Sequence, residues 1–235
     1  MPVAIITGAS SGLGAALARE LAQQGWQLII DARRPAPLFA VADDLSRRTA
    51  VIAIAGDIAE PDHRDAVLRA AAGQGRIDLL VNNASTLGPR GLRPTAELDP
   101  DELRAVFEVN TLAPYALSRS ARGLLQPRGA VVNISSDAAV AHYPGWGGYG
   151  AAKAALDHLT GTLAAEDAAH RYYALDPGDM RTPMHQAAFP DEDISDRPLP
   201  EEVVPAVLTL YRQRPASGRY RAREVLAPVA AGSNR

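Results

Sequence analysis

The chain has 235 residues, 47% of them hydrophobic and 22% charged, so it can bury a sizeable core and is not disordered throughout. Its 24 basic and 27 acidic residues leave a net charge of −3, which argues against a dedicated nucleic-acid binder. The lack of cysteine excludes disulfides, thiolate catalysis and cysteine-ligated zinc. No apolar run approaches the ~18 residues of a membrane span, and no export signal precedes Val3. We therefore expect a cytoplasmic protein without membrane association.

Short apolar runs alternate with longer helical patterns along nearly the whole sequence. The runs predict strands at 3–7, 27–31, 50–55, 77–82, 130–134 and 171–175. The helical patterns predict helices at 13–24, 37–45, 61–72, 100–125 and 149–165, with Gly25 ending the first and Asp99 capping the fourth. Strands that are apolar on both faces need helices on both sides. The sequence therefore predicts an α/β fold with a doubly wound parallel sheet in three α/β/α layers.

The alternation contains no linker that would separate two domains, so we expect a single domain over 1–235. The segment 183–200, which is rich in proline and acidic residues, interrupts the pattern and predicts a loop or short helix beside the substrate. The small, polar end at 227–235 is expected to fray.

A glycine-rich motif, Thr7–Gly14 (TGASSGLG), joins the first predicted strand to the first predicted helix. Gly8 permits a sharp turn, Gly12 lets the backbone approach a pyrophosphate, and Gly14 lets the helix pack tightly on the strand. Free N–H groups at the helix N-terminus then face the phosphates. Because the motif lies between a strand and a helix, it predicts a dinucleotide site rather than a merely structural turn.

With this motif the chain resembles the classical short-chain dehydrogenase/reductase family, whose glycine motif is Thr-Gly-x-x-x-Gly-x-Gly. Further matches follow in the family's order over roughly residues 3–183 and comprise Asp57-Ile58, Asn82-Asn83-Ala84, Asn110, Ser136, Tyr149, Lys153, Pro177-Gly178 and Thr182. Ser85 departs from the family pattern, which has glycine there. The stretch Asn82–Pro89 is also similar to the sepiapterin and benzil reductase branch, whose members reduce diketones or pteridine side chains.

The resemblance implies a Rossmann-type fold and an NAD(P)-dependent oxidoreductase that interconverts a carbonyl compound (ketone, diketone or aldehyde) and an alcohol by hydride transfer. It implies a catalytic set of Asn110, Ser136, Tyr149 and Lys153. The coenzyme contacts that it implies are Gly8, Ser10, Ser11, Gly12, Leu13, Gly14, Asp57, Ile58, Asn83, Ala84, Tyr149, Lys153, Pro177, Gly178 and Thr182. The alternative is a dinucleotide-binding sensor or regulator without turnover, although such proteins typically lose the tyrosine or the lysine.

The catalytic residue types suit carbonyl chemistry. Tyr149 and Lys153, the only lysine in the chain, are four residues apart and share one face of a predicted helix. The pKa of a free tyrosine, near 10, is too high for neutral pH, and a nearby ammonium is expected to lower the pKa of Tyr149. The phenol then acts as the acid in reduction and the base in oxidation. Ser136 is expected to polarise the substrate oxygen, with Ser135 as the alternative.

The histidines, at positions 63, 142, 158, 170 and 185, do not cluster with carboxylates, so we predict no metal site. His142, Tyr143 and His185 can line the substrate pocket or lie on surface loops. Trp146, flanked by glycines, suits a ring-bearing substrate or simple packing.

Coenzyme choice depends on the register of the second strand. An acidic residue about 20 positions beyond the glycine motif selects NAD(H), and Asp31 lies near that distance. The family's usual position for the acid, counted from Gly25, is instead Ala32, followed by Arg33 and Arg34. Because Arg33 can clamp a 2′-phosphate, NADP(H) is the predicted coenzyme and NAD(H) the alternative.

Two further expectations concern the long helix predicted at 100–125. Pro114 lacks the N–H that would bond the Asn110 carbonyl, so the helix should distort there, and the resemblance implies that this carbonyl holds a water leading to Lys153. Alternatively, Pro114 only steers the helix around its neighbour. We also predict that the chain pairs into a homodimer or homotetramer through this helix and the helix at 149–165. The second of these helices carries small apolar residues, Ala151, Ala152, Ala154 and Ala155.

Overall fold

Seven parallel strands form one sheet in the computed structural model, which describes residues 1–227. The strands are β1 (Val3–Ile6), β2 (Gln27–Ala32), β3 (Val51–Ala55), β4 (Ile77–Asn82), β5 (Leu125–Ile134), β6 (Arg171–Asp176) and β7 (Gly218–Arg221). Their order is β3-β2-β1-β4-β5-β6-β7, which confirms the predicted doubly wound, Rossmann-type sheet. The frayed end predicted at 227–235 lies outside the described residues except for Ala227, and so does the last part of the predicted domain.

Helices cover both faces of the sheet. They are α1 (Gly12–Gln23), α2 (Pro35–Ser46), α3 (Pro61–Gln74), α4 (Pro100–Phe107), α5 (Ala113–Ala121), α6 (Gly147–Glu166), α7 (Pro183–Ala188), α8 (Val204–Gln213) and α9 (Ala222–Leu226). The carboxylate of Asp99 caps α4, as predicted, by accepting the Asp101 N–H at 2.8 Å. Within residues 1–227, no helix combines the length and apolarity needed to span a bilayer.

The core forms two layers because successive residues of a strand face opposite sides of the sheet. Ala4 and Ile6 pack toward α1, α2 and α8, whereas Val3 and Ile5 pack toward α3, α5 and α6. Both layers are buried, which explains why the strands are apolar on both faces.

The prediction of one continuous helix over 100–125 was wrong. A π-helical turn, Glu108–Leu112, separates α4 from α5, and the chain leaves the helix after Ala121, so that Leu125 begins β5. In the π turn the Ala113 N–H bonds the Glu108 carbonyl, five residues back. The distortion that Pro114 predicts is therefore present, immediately before the proline.

The sequence also failed to predict β7. This short edge strand, with the sequence GRYR, pairs in parallel with β6 and lacks an apolar run. The excursion predicted at 183–200 begins with the short helix α7, whose N-cap is Thr182.

Candidate active site

A cavity of about 560 Å³ opens beyond the carboxyl ends of the strands, next to the reversal of strand order between β1 and β4. Its lining includes all the predicted site residues except Gly14 and Asn110. Those that line it are Gly8, Ser10, Ser11, Gly12, Leu13, Arg33, Arg34, Asp57, Ile58, Asn83, Ala84, Ser136, Tyr149, Lys153, Pro177, Gly178 and Thr182. The residues that the sequence motifs place far apart along the chain thus share one cavity.

The glycine-rich turn is fixed to the end of β4. The Thr7 hydroxyl oxygen accepts the backbone N–H groups of Asn83 and Ala84, each at 3.0 Å, and the Asn83 amide donates to the Thr7 carbonyl at 2.9 Å. A Cβ at Gly14 would lie 2.6 Å from the Asn83 amide nitrogen, so Gly14 serves close packing behind the cavity. At Gly8, φ is +68°, a conformation that glycine adopts without strain.

The donors around this turn suit phosphate groups. The side chain of Ser11, the N-cap of α1, makes no capping hydrogen bond, which leaves the first N–H groups of the helix free. Arg33 and Arg34 are exposed and line the same cavity, and within residues 1–227 neither guanidinium has a hydrogen-bond or ion-pair partner. Backbone N–H groups and unpaired guanidinium groups together fit a phosphorylated dinucleotide.

Asp31, the alternative coenzyme-selecting acid, is 2% exposed and already bonded within the protein. One carboxylate oxygen accepts the Gly8 N–H at 2.9 Å, and the other lies 2.9 Å from Nε2 of His63 on α3. Burial raises the pKa of Asp31, while His63 and the Gly8 N–H oppose that rise. One oxygen therefore braces the glycine turn, and the other is held by His63. His63 is a contributor that the sequence patterns did not single out.

Tyr149 and Lys153 lie on one face of α6, as predicted. Lys153 is fully buried, and its ammonium donates to the Ile134 carbonyl at 2.7 Å and lies 5.6 Å from the centre of the Tyr149 ring. Burial lowers the pKa of Lys153 to about 8.

The expected fall in the tyrosine pKa was wrong for the protein alone. Burial raises the pKa of Tyr149 to about 12, although the hydroxyls of Ser85 and Ser136 act in the opposite direction. The carboxylates of Asp137 and Asp176 raise the pKa further. The spacing of Tyr149 and Lys153 correctly predicts that they are neighbours, but it does not reveal how completely the phenol is buried.

Of the two serines at the end of β5, Ser136 is the one that faces the phenol. Its hydroxyl oxygen accepts the Ala138 N–H at 3.1 Å and lies 3.1 Å from an oxygen of Asp137. Ser135 is 2% exposed, and its hydroxyl has no hydrogen-bond partner within residues 1–227. This geometry favours Ser136 over Ser135 as the partner of the substrate oxygen.

Asn110 is fully buried in the π turn and does not line the cavity. Its side-chain amide pairs with the backbone of Thr86, donating to the carbonyl at 2.8 Å and accepting the N–H at 2.9 Å. The same amide oxygen accepts the Ser85 hydroxyl at 3.1 Å. Asn110 therefore holds the segment after β4 against the π turn.

Ser85 and Arg219 are two residues in contact with the candidate site to which the sequence patterns assigned no role. The only signal for Ser85 was its departure from the family's glycine. Arg219, on the unpredicted strand β7, donates to the Ser136 carbonyl at 2.9 Å and to Asp157 and Asp176 at 2.9 and 3.2 Å. It thereby joins the edge of the sheet to the serine that faces the phenol.

Of the predicted pocket aromatics and histidines, Trp146 and His185 line the cavity. His142 is exposed and does not line it, and the exposed Tyr143 donates to Asp137 at 2.8 Å.

Comparison with known proteins gives a consistent result. The profile of the short chain dehydrogenase family matches residues 2–193. The L-xylulose reductase of Bos taurus is 34% identical over 194 residues, which cover 80% of this chain and 75% of that protein.

Solved structures of similar architecture contain both kinds of nicotinamide coenzyme. A short-chain dehydrogenase from Sphingobium yanoikuyae in complex with NADPH superposes with a TM-score of 0.81 at 28% identity, covering 94% of this chain and 87% of that one. A 3-ketoacyl-(acyl-carrier-protein) reductase from Brucella melitensis complexed with NADH gives a TM-score of 0.82 at 27% identity, covering 94% and 96%.

Proposed function

The chain belongs to the short chain dehydrogenase family of oxidoreductases, and we propose that it interconverts a carbonyl compound and an alcohol by hydride transfer with NADP(H). The observation that carries this proposal is the convergence of Ser136, Tyr149 and Lys153 on the cavity that also contains the glycine turn. The bound coenzyme supplies the chemistry of hydride transfer.

In the proposed reduction, the Ser136 hydroxyl donates a hydrogen bond to the substrate carbonyl oxygen and polarises it. The carbonyl carbon receives the hydride, and the Tyr149 phenol gives its proton to the oxygen, which leaves a phenolate and an alcohol. In oxidation the phenolate takes the hydroxyl proton back. Lys153 holds a positive charge beside the ring and so favours the phenolate in both directions.

The proposed preference for NADP(H) rests on two sets of contacts. Asp31, the acid that would bind a ribose 2′-hydroxyl, is engaged by the Gly8 N–H and by His63. Arg33 and Arg34 lie at the cavity with guanidinium groups that can bind a 2′-phosphate through paired hydrogen bonds.

The proposal is tested by following NADPH oxidation by the purified chain with a panel of diketones, ketones and aldehydes. We expect turnover with at least one of them, and Tyr149→Phe should lower kcat about 100-fold or more while retaining NADPH binding. The matched control is Tyr211→Phe, because Tyr211 packs on Trp26 in the core and does not line the cavity. NADPH binding without any turnover would refute the enzyme proposal and favour the sensor or regulator.

A further inference from the structure

A buried carboxylate lies at the coenzyme end of the cavity, where it opposes the binding of a phosphate. Asp31 belongs to β2, lines the cavity and stands near the distance from the glycine motif at which an acid selects NAD(H). Arg33, the proposed ligand of a 2′-phosphate, follows it by two residues and lines the same cavity. An unpaired carboxylate repels a neighbouring phosphate. A preference for NADP(H) therefore requires a group that engages Asp31.

His63 is that group. Among the described residues 1–227, it is the only side chain hydrogen-bonded to Asp31, with Nε2 2.9 Å from one carboxylate oxygen. The Gly8 N–H donates to the other oxygen at 2.9 Å. Since an ionised carboxylate only accepts hydrogen bonds, Nε2 carries the hydrogen, whether the imidazole is neutral or charged. Each oxygen of Asp31 thus already has a donor from the protein.

The imidazole of His63 fits into a space that a glycine leaves open. A Cβ at Gly56, the residue after β3, would lie 2.2 Å from Nδ1 and 2.7 Å from Cε1 of His63. The backbone there is tied to β2, because the Gly56 N–H donates to the Ala32 carbonyl at 3.1 Å. The imidazole is 8% exposed in this position. It reaches Asp31 because residue 56 has no side chain.

A second histidine–carboxylate pair offers a comparison away from the cavity. Nδ1 of His170 lies 2.9 Å from an oxygen of Asp167, the same separation as in the pair of His63 and Asp31. Neither His170 nor Asp167 lines the cavity. The two pairs therefore have similar chemistry, but only the pair with Asp31 presents its carboxylate to the proposed coenzyme site.

We propose that His63 is a positioning residue that sets the coenzyme preference by holding Asp31 away from the ribose. The inference rests on the proposed coenzyme site. By donating to the carboxylate, His63 occupies the oxygen that would accept the 2′-hydroxyl of NAD(H). The same hydrogen bond offsets the negative charge that would repel the 2′-phosphate of NADP(H). Loss of the donor should favour NAD(H) on both grounds.

The test measures the ratio of the Kd for NADH to the Kd for NADPH. Fluorescence titration at pH 8 is suitable, because alkaline pH favours the ionised form of Asp31. His63→Phe keeps a ring but removes the donor, and we expect it to lower the ratio about tenfold, the value of one hydrogen bond to a charged group. His63→Gln keeps an N–H donor and should retain most of the native ratio.

The effect should depend on Asp31. In the Asp31→Asn background, adding His63→Phe should leave the ratio unchanged, because the charge on which His63 acts is absent. The same comparison with 5′-AMP and 2′,5′-ADP restricts the effect to the ribose end of the coenzyme, since these compounds lack the nicotinamide and differ only in the 2′-phosphate.

Two further variants separate the specific effect from damage to the fold. His170→Phe removes the donor of the comparison pair and should leave the ratio unchanged. Gly56→Ala displaces an intact imidazole from Asp31 and should lower the ratio, as His63→Phe does. It provides the test if His63→Phe does not fold.

An unchanged ratio in His63→Phe, or an equal fall in the Asp31→Asn background, would overturn the role of His63 and leave the NADP(H) preference to Arg33. An equal fall in His63→Gln or His170→Phe would assign the effect to a loosened fold and would also overturn it. A native chain that prefers NADH, but whose ratio still falls in His63→Phe, would refute the NADP(H) preference and support the role of His63. Binding of neither coenzyme would overturn both.

Discussion

The ammonium nitrogen of Lys153 lies 5.6 Å from the centre of the Tyr149 ring, held there by a 2.7 Å hydrogen bond to the carbonyl of Ile134 at the end of β5. The backbone of the sheet thus fixes the position of the ammonium beside the phenol ring. Both groups are deeply buried, and burial shifts each pKa toward the uncharged form, to about 8 for the lysine and about 12 for the tyrosine. The shifted pKa values of Lys153 and Tyr149 lead to two predictions.

The first concerns alkaline stability. Lys153 is the only lysine and the chain has no cysteine, so few other side chains titrate between pH 8 and 10. Because the pKa of Lys153 is lowered from 10.5 to about 8 on folding, the unfolded chain binds more protons in that range. Lys153 should therefore raise the free energy of unfolding as the pH rises from 8 to 10.5, and its own contribution is about 3 kcal/mol. From about pH 9 upward the raised pKa values of the tyrosines at positions 143, 149, 172, 173 and 211 act in the opposite direction, so the rise is clearest between pH 8 and 9.

Urea unfolding at closely spaced pH values measures this rise. Lys153→Met removes the titrating group and should flatten the profile between pH 8 and 10. An equally steep profile in Lys153→Met would show that the lysine is not the source.

The second prediction concerns Ser85, whose hydroxyl bonds to the Asn110 amide oxygen and also favours ionisation of Tyr149. That amide oxygen keeps the Thr86 N–H when the serine hydroxyl turns to the phenolate. Ser85→Gly, which installs the family's usual residue, should raise the pH midpoint for alcohol oxidation by about one unit, the value of a hydrogen bond to a charged group. The pH profile of kcat measures it.

Thr86→Ala is the matched control, since it deletes the neighbouring hydroxyl, which bonds only locally to the Gly88 N–H. Its pH midpoint should stay at the value of the unmodified chain. An equal shift in both variants would assign the effect to the loop rather than to the Ser85 hydroxyl.

Segments whose structure follows from local sequence were predicted well. Continuous apolar runs fix the inner strands, and the glycine motif fixes the turn before α1, because both signals lie within a few residues. The polar edge strand β7 carries no such signal, since pairing with β6 alone makes Gly218–Arg221 extended. The boundary between the π turn and α5 also depends on tertiary contacts, such as the 2.8 Å bond from Thr111 to the Ala152 carbonyl.

In the candidate site, too, some features follow from the local sequence and others depend on distant residues. The positions of Ser136, Tyr149 and Lys153 follow from spacing, because the helix and the neighbouring strand end bring them together. The pKa of Tyr149 does not follow from the spacing, because it depends on how many groups from other segments cover the ring. The role of Asp31 is likewise set by His63, a residue 32 positions away on α3.

The third prediction concerns coenzyme selection. Arg33→Ala should weaken NADPH binding about 10-fold to 100-fold, the value of charged hydrogen bonds to a phosphate, and should leave NADH binding nearly unchanged. Fluorescence titration of both coenzymes measures the effect. Arg47→Ala, which removes an exposed arginine outside the cavity, is the control. Unchanged NADPH affinity in Arg33→Ala, or a tenfold preference of the native chain for NADH, would refute the assignment.

The fourth prediction concerns assembly. We propose pairing through α5 and α6, where Ala151 is exposed and Leu112, beside α5, is 44% exposed. Light scattering at micromolar concentration should give the mass of a homodimer or homotetramer. Ala151→Glu should lower that mass by placing a charge in the contact, whereas Ala36→Glu, on the exposed surface of α2, should not. A monomer mass for the native chain would contradict the proposal.

The last prediction concerns Pro114. The π turn Glu108–Leu112 immediately precedes α5, and its Thr111 hydroxyl donates to the carbonyl of Ala152, the residue before Lys153. Pro114 has no N–H to offer the Asn110 carbonyl, so it favours the irregular turn over a continuous α-helix. Pro114→Ala restores that N–H donor and should shift the π turn toward α-helical hydrogen bonding. The hydrogen bond from the Thr111 hydroxyl to the Ala152 carbonyl on α6 should then weaken.

We expect Pro114→Ala to lower kcat severalfold and to leave the Kd for NADPH nearly unchanged, because Pro114 does not line the cavity. A solvent isotope effect on kcat larger than that of the native chain would show that proton delivery has become slower, as expected if the Asn110 carbonyl helps to carry a proton path from Lys153. Pro205→Ala, at the start of α8, is the control for the loss of a helical proline. Unaltered turnover in Pro114→Ala would reduce Pro114 to a packing residue that steers the helix around its neighbour.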